Sequence, residues 1–206
     1  MNHVVQNATP NVKASPGRPP QFDAQQVVSD AVTVFWRNGY EATSLADLES
    51  ELGINRSTLY GSFGGKAGLY RTAVASYVET METRLVAPLL SGTRGIADLL
   101  AFIERLRELL TDRTHPDGCL IVNAMGSAHP PEAMRQYLAN LHAGFDATLR
   151  RAVELGEIPE AQCAANASSI LISAIGLNVA AKAGITGREL DDLIDGVSSV
   201  VNNWTE

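Results

Sequence analysis

Residues 39–69, GYEATSLADLESELGINRSTLYGSFGGKAGL, decide the fold. Ser44 followed three positions later by Asp47 is a loose capping box, with Thr43 as an alternative cap. It opens a helix whose inner stripe is Leu45, Leu48 and Leu52. Gly53 breaks that helix early, because glycine enters unusual backbone angles without strain. Asn55 caps a third segment holding Arg56, Ser57, Thr58, Leu59 and Tyr60, and Gly64-Gly65 ends it. Upstream, from Phe22 on, Val27, Val28, Ala31, Val32 and Phe35 recur at the spacing of one helix face, and Asn38-Gly39 stops that helix. Two short helices joined by Leu52-Gly53-Ile54-Asn55 behind a longer one form a helix-turn-helix pattern. Leu48, Leu52, Ile54 and Leu59 must pack between the helices. Arg56, Ser57, Thr58 and Tyr60 are then left facing outward, a set suited to phosphates and base edges.

Beyond this unit the chain reads as helix throughout. Residues 66–87 form one helix, stopped by Pro88. Residues 95–112 form another, with Ile96, Leu99, Leu100, Ile103, Leu106 and Leu110 inward. Pro116-Asp117-Gly118 opens a short helix reaching residue 128, and Pro131 starts a long one ending near Gly156. Residues 160–183 and 187–204 complete the set. No useful strand alternation and no internal repeat occur. The fold class expected is all-α, with a polar disordered tail over residues 1–17, a helix-turn-helix domain over 18–65 and a second helical domain over 66–206.

Composition agrees. Of 206 residues, 45% are hydrophobic and 19% charged, enough to bury a core and unlike a disordered chain. Two cysteines exclude a disulfide scaffold. No stretch approaches the ~18 apolar residues of a membrane span, since residues 170–181 are broken by Ser173, Gly176 and Asn178. Residues 1–17 lack the apolar region of a signal peptide. A cytoplasmic setting without a membrane partner is expected. The net charge of -7 seems hostile to nucleic acid. It is not evenly spread: residues 1–75 balance Lys13, Arg18, Arg37, Arg56, Lys66 and Arg71 against Asp23, Asp30, Glu41, Asp47, Glu49 and Glu51. The acidity lies further along, and local charge near the phosphates is what counts.

Residues 17–69, GRPPQFD and then AVTVFWRNGYEATSLADLESELGINRSTLYGSFGGKAGL, resemble the TetR family of transcriptional regulators. The most specific part is Gly53 to Phe63 followed by Lys66, and Gly39-Tyr40 with Thr43-Ser44 also match. The resemblance implies that Phe63 packs under the recognition helix and that Lys66 starts a fourth helix near a phosphate. It implies a homodimer joined through the last two long helices, and a ligand pocket in the C-terminal domain. Ligand binding would change the separation of the two recognition helices, which must match one DNA turn of roughly 34–36 Å. The implied function is a repressor on a palindromic double-stranded operator, released by a small-molecule effector or by modification of Cys119. Ser62 and Ala67 depart from the family, which often has His or Tyr and an acidic residue there. Gly64, Gly65 and Gly68 are expected to loosen the start of the fourth helix, at roughly 0.5–1 kcal/mol for each mid-helix glycine.

The expected DNA contacts are therefore Thr43, Ser44, Arg56, Ser57, Thr58, Tyr60 and Lys66, with Arg18 reaching a minor groove from the arm. Cys119 stands near a predicted helix start, where amides and the dipole favour thiolate. Its Gly-Cys-Leu setting resembles the electrophile- and oxidant-sensing branch of the family, with Lys182 as a partner that lowers the thiol pKa. The alternative is a small buried hydrophobe; Cys163 reads as packing. His115, His129 and His142 lack zinc spacing, and no metal or cofactor is expected. A pocket is expected among Phe102, Leu106, Cys119, Met125, Tyr137, Leu141, Phe145 and Leu177, with Met134 in the core. A stripe of mostly small residues, Ala164, Ala167, Ser168, Leu171, Ala174, Ile175 and Asn178, suits a dimer interface or internal packing. Two rival functions remain: an enzyme using Cys119 with His115 or His129 as base, and an adaptor whose helix-turn-helix packs on protein. No enzyme activity is expected.

Overall fold

Asp23 opens the first helix by accepting hydrogen bonds from the Gln25 and Gln26 amides. The computed structural model describes residues 23–125 and 130–205. Helix α1 (Ala24–Asn38) buries Val27, Ala31, Val34, Phe35 and Trp36 and ends at Gly39. Ser44, not Thr43, caps α2 (Leu45–Leu52), and both halves of the capping box form, at 3.1 and 2.8 Å. Gly53 takes the left-handed conformation the turn requires. Asn55 Oδ1 accepts from the Thr58 amide at 2.8 Å and starts α3 (Arg56–Phe63).

Helix α4 (Lys66–Met81) does not stop before Pro88. It runs through one π turn (Glu82–Val86) into α5 (Ala87–Ser91), with Pro88 in the first turn of α5. Proline has no N–H and its ring crowds the carbonyl four residues back. The wider turn, in which the Ala87 amide bonds to Glu82 O five residues back, relieves that crowding. Gly68 is not a loose point in α4: a Cβ there would lie 1.6 Å from Phe63 O, so only glycine permits this approach of α4 to the end of α3.

The rest is α6 (Ile96–Thr111), α7 (Leu120–Asn123), α8 (Glu132–Glu154), α9 (Cys163–Lys182) and α10 (Arg188–Asn202). Helix α7 is shorter than the sequence suggests, ending at Asn123. The described residues contain no strand. Helix α1 packs on α4, α8 on α9 and α6 on α10, while α7 touches α1, α4 and α9. One continuous apolar core runs from Phe35, Leu48 and Leu59 to Phe102, Phe145 and Leu149. Phe102 and Phe145 meet edge to face at 4.8 Å.

The segment Glu160–Lys182 corrects the reading that no stretch is apolar enough to span a membrane: by length and composition it is. Its Cys163, Ala167, Ile170, Ala174, Leu177 and Ala181 form one face buried inside the protein, while most of the segment stays half-buried or exposed. Part of the expected interface stripe thus turns inward, because Ala167, Ala174 and Asn178 are buried. The face left outside carries Ile172, 69% exposed, with Gly176 and Val179. On α10, which packs against it, Leu193, Gly196 and Val200 are also exposed.

Candidate nucleic-acid interface and regulatory cavity

Leu59 is fully buried and anchors α3, which leaves Arg56, Ser57 and Tyr60 exposed and Thr58 half-buried. Arg56 Nε lies 3.5 Å from Glu49 Oε1, an exposed pair that orients the side chain and contributes no more than about 1 kcal/mol. The Tyr60 ring lies over Gly65, where a Cβ would sit 3.0 Å from the ring edge. Glycine at 65 therefore sets the tyrosine's direction, and its φ of +87° suits no other residue well. Lys66 Nζ is 4.3 Å from the centre of the Tyr40 ring and 3.4 Å from Glu41 O, at the first turn of α4. Phe63 packs half-buried against the core.

Thr43 differs from its expected role. Its hydroxyl donates to Gly39 O at 2.6 Å and the residue is 1% exposed, so its side chain closes the α1–α2 turn instead of facing phosphate. Ser44 is exposed but its hydroxyl accepts from the Asp47 amide. The same pairing holds the Asp47 carboxyl below the usual range, first through the Ser44 amide and then through its hydroxyl. Arg18 and His129 lie outside the described residues.

In the C-terminal half a narrow cavity of about 40 Å³ sits between α4, α6, α8 and α9. Of the expected residues, Phe102, Leu106, Cys119, Tyr137 and Leu141 line it. Met125, Phe145 and Leu177 do not. Phe145 stands behind Phe102, Leu177 is buried elsewhere in the core, and Met125 is exposed at the end of α7. His115, read from the sequence as a loop residue or a polar group of the pocket, stands on the same wall, whereas sequence reasoning missed Trp36, Tyr77 and Asn178 there. The space holds a few waters, so an organic molecule must widen it. Its wall is aromatic with a few polar atoms, which suits an uncharged planar ligand.

The thiol environment also differs from expectation. Tyr77 Oη donates to Cys119 Sγ at 3.4 Å. Burial pushes the Cys119 thiol up, outweighing that bond and the amides of Val122 and Ile121, and pushes the Tyr77 and Tyr137 phenols up as well. Desolvation disfavours the anion more than one turn of helix favours it. Lys182 is not among the groups acting on the thiol; it opens onto a separate cleft with Arg37 and Asp117.

Trp36 ties this cavity to the helix-turn-helix. Although it belongs to α1, its ring stacks on His115 at 4.7 Å and meets Tyr77 edge-on at 5.0 Å. Its Nε1 donates to Asp117 O at 3.3 Å, beside Gly118 and Cys119.

The profile described as "Bacterial regulatory proteins, tetR family" matches residues 27–73, and "Tetracyclin repressor-like, C-terminal domain" matches residues 95–197. The HTH-type transcriptional repressor ComR of Escherichia coli (strain K12) is 29% identical over 98% of this chain and 99% of its own length. The HTH-type transcriptional repressor BdcR of the same organism is 31% identical over 85% of this chain and 87% of its own. Among solved structures, a cysteine mutant of the TetR family regulator CifR, complexed with 26bp double-strand operator DNA, superposes with a TM-score of 0.80. It is 26% identical over 91% of this chain and 100% of that one.

Proposed function

The chain belongs to the tetR family of bacterial regulatory proteins, and from that premise we propose that it is a homodimeric, sequence-specific repressor that reads a palindromic operator with α3. The observation that carries this is local. Helix α3 is capped at both ends and pinned by Leu59, and it presents Arg56, Ser57 and Tyr60 to solvent with Lys66 on its flank. Arginine can read guanine in the major groove, hydroxyls and lysine hold phosphates, and together they fix register and sequence. ComR and BdcR are named as repressors, and CifR is bound to operator DNA, which supports the same reading. Work of this kind belongs in the cytoplasm.

The second copy is placed against the outer faces of α9 and α10, where Ile172, Val179, Leu193 and Val200 otherwise remain in water. Gly176 and Gly196 have open space around them and allow close approach of helices there. Release follows from the cavity. A small molecule that widens it displaces Trp36 on α1 or Tyr77 on α4, and either changes the attitude of α3. A reversible ligand is favoured over thiol modification, because Cys119 is a half-buried thiol, hydrogen-bonded to Tyr77 and kept neutral by its surroundings. A thiol enzyme lacks support for the same reason: the hydrogen-bond partner of the thiol is Tyr77, whose own phenol is pushed up by burial and serves poorly as a base.

The test is a polarisation titration with labelled DNA from upstream of this protein's gene, using wild type, Arg56→Ala and Cys119→Ser, each with and without a quinone. Saturable binding lost in Arg56→Ala supports the operator reading; binding by Arg56→Ala equal to wild type counts against it. Quinone release of wild type but not of Cys119→Ser would restore the thiol switch.

A further inference from the structure

A polar cleft of about 410 Å³ opens where the helix-turn-helix unit meets the C-terminal helices. Thr33 and Arg37 of α1, residues 114–117 of the α6–α7 connection and Lys182 in the last turn of α9 line it. Two cations thus face one concave space from opposite halves of the molecule. Lys182 is exposed, and among the described residues no carboxylate lies within ion-pair distance of it. Arg37 engages Glu51 through one nitrogen at 3.1 Å, leaving other N–H donors of its fork for the cleft. Asp117, the carboxylate among the lining residues, is held by Arg113 at 3.0 Å. The Thr114 hydroxyl gives its one proton to Asp112 Oδ1 at 2.7 Å, so of the two lining hydroxyls it is that of Thr33 that can donate to an anion.

The loop is pressed close against α9. A Cβ on Gly118, whose φ is +78°, would lie 3.0 Å from Asn178 O and 3.1 Å from Lys182 Cβ. That approach sets the stem of Lys182 beside the loop and across from Arg37. Two such cations repel each other, and a concave polar cleft concentrates the counter-ion that relieves them. A guanidinium fork matches the paired oxygens of carboxylate or phosphate, and an ammonium adds a point charge.

The geometry points to this cleft as a binding site for a small, multiply charged oxyanion, a phosphate or polycarboxylate held between Arg37 and Lys182. It is separate from any contact of α3 with operator phosphates. The site has room for more than a bare phosphate ion, so an organic phosphate or a tricarboxylate fits. Occupied, it bridges α1 to α9. It also shares His115 with the aromatic cavity, so a second ligand, of opposite chemistry, acts on the same loop.

Thermal melting of the full chain tests this, in inorganic phosphate or citrate titrated against chloride at constant ionic strength. Wild type is expected to show a saturable rise in Tm. Lys182→Met should raise the half-saturating concentration roughly tenfold, the loss of one charge-assisted hydrogen bond. Lys182→Arg should retain the response, and so should Lys66→Gln, which removes charge from the α3 side only. A response to one of the two anions alone keeps the site and names its chemistry. A response to neither, or one equally strong in Lys182→Met, overturns the proposal.

Discussion

Replacing Lys66 with Gln removes one charge per protomer while keeping an amide donor for Glu41 O, which Nζ now meets at 3.4 Å. If Lys66 sits on an operator phosphate, a bound dimer loses two phosphate contacts. Each neutralised phosphate contributes about 0.9 to the slope of log affinity against log salt, so the slope should become shallower by about 1.8. Over a fourfold rise in salt the gap between wild type and variant should then narrow about twelvefold. The stability change stays within the roughly 0.5–1 kcal/mol of an exposed cation–π contact, here with Tyr40, so folding does not confound the result. The assay is a polarisation titration at four salt concentrations, on the operator and on a scrambled duplex. The loss should be the same on both, since a phosphate carries no sequence. An unchanged slope, or a loss confined to the operator, would refute the placement of Lys66.

Three further expectations concern the body of the protein. Phe102→Ala, a fully buried ring against Phe145, should lower stability by about 3–5 kcal/mol in urea unfolding and enlarge the cavity; a loss below 1 kcal/mol would mean that this core is not packed as described. Ile172→Asp should yield a monomer in sedimentation velocity and abolish cooperative operator binding, whereas an intact dimer would move the interface elsewhere. Burial pushes the Cys119 thiol above its ordinary 9.0. Above about pH 9 the unfolded chain sheds a proton that the folded chain keeps, so stability is full below that pH and falls as pH rises through the folded value. Native alkylation of this half-buried thiol by iodoacetamide at pH 8 should be slower than in denaturant, because less of it is thiolate; equal rates would contradict the raised pKa.

The helix-turn-helix was legible because its instructions are local. Ser44, Gly53, Asn55 and Gly64 act on atoms within a few residues, and each does what its chemistry demands. Thr43 was misread because its hydroxyl has two local uses, and burial against the core chose the carbonyl of Gly39 over solvent. The cavity was half legible. Phe102, Leu106, Tyr137 and Leu141 follow helical spacing, but Trp36 and Asp117 are 81 positions apart and Tyr77 and Cys119 are 42 apart. No local pattern announces such pairs. Helix α9 hid its outer face for a different reason: it is apolar nearly all round, so its periodicity prefers no side. Pro88 misled because a single π turn absorbs what an α-helix cannot.

Trp36 makes the molecule its own optical instrument. The chain has two tryptophans, Trp36 in the cavity wall and Trp204 at the far end of α10. With Trp204→Phe, all indole emission comes from one ring that touches His115 and Tyr77 on one side and belongs to the DNA-reading half on the other. A molecule entering the cavity changes the polarity and quenching around that ring. Effector screening then needs no label and no operator, and the same spectrum, recorded on the DNA complex, watches the signal leave.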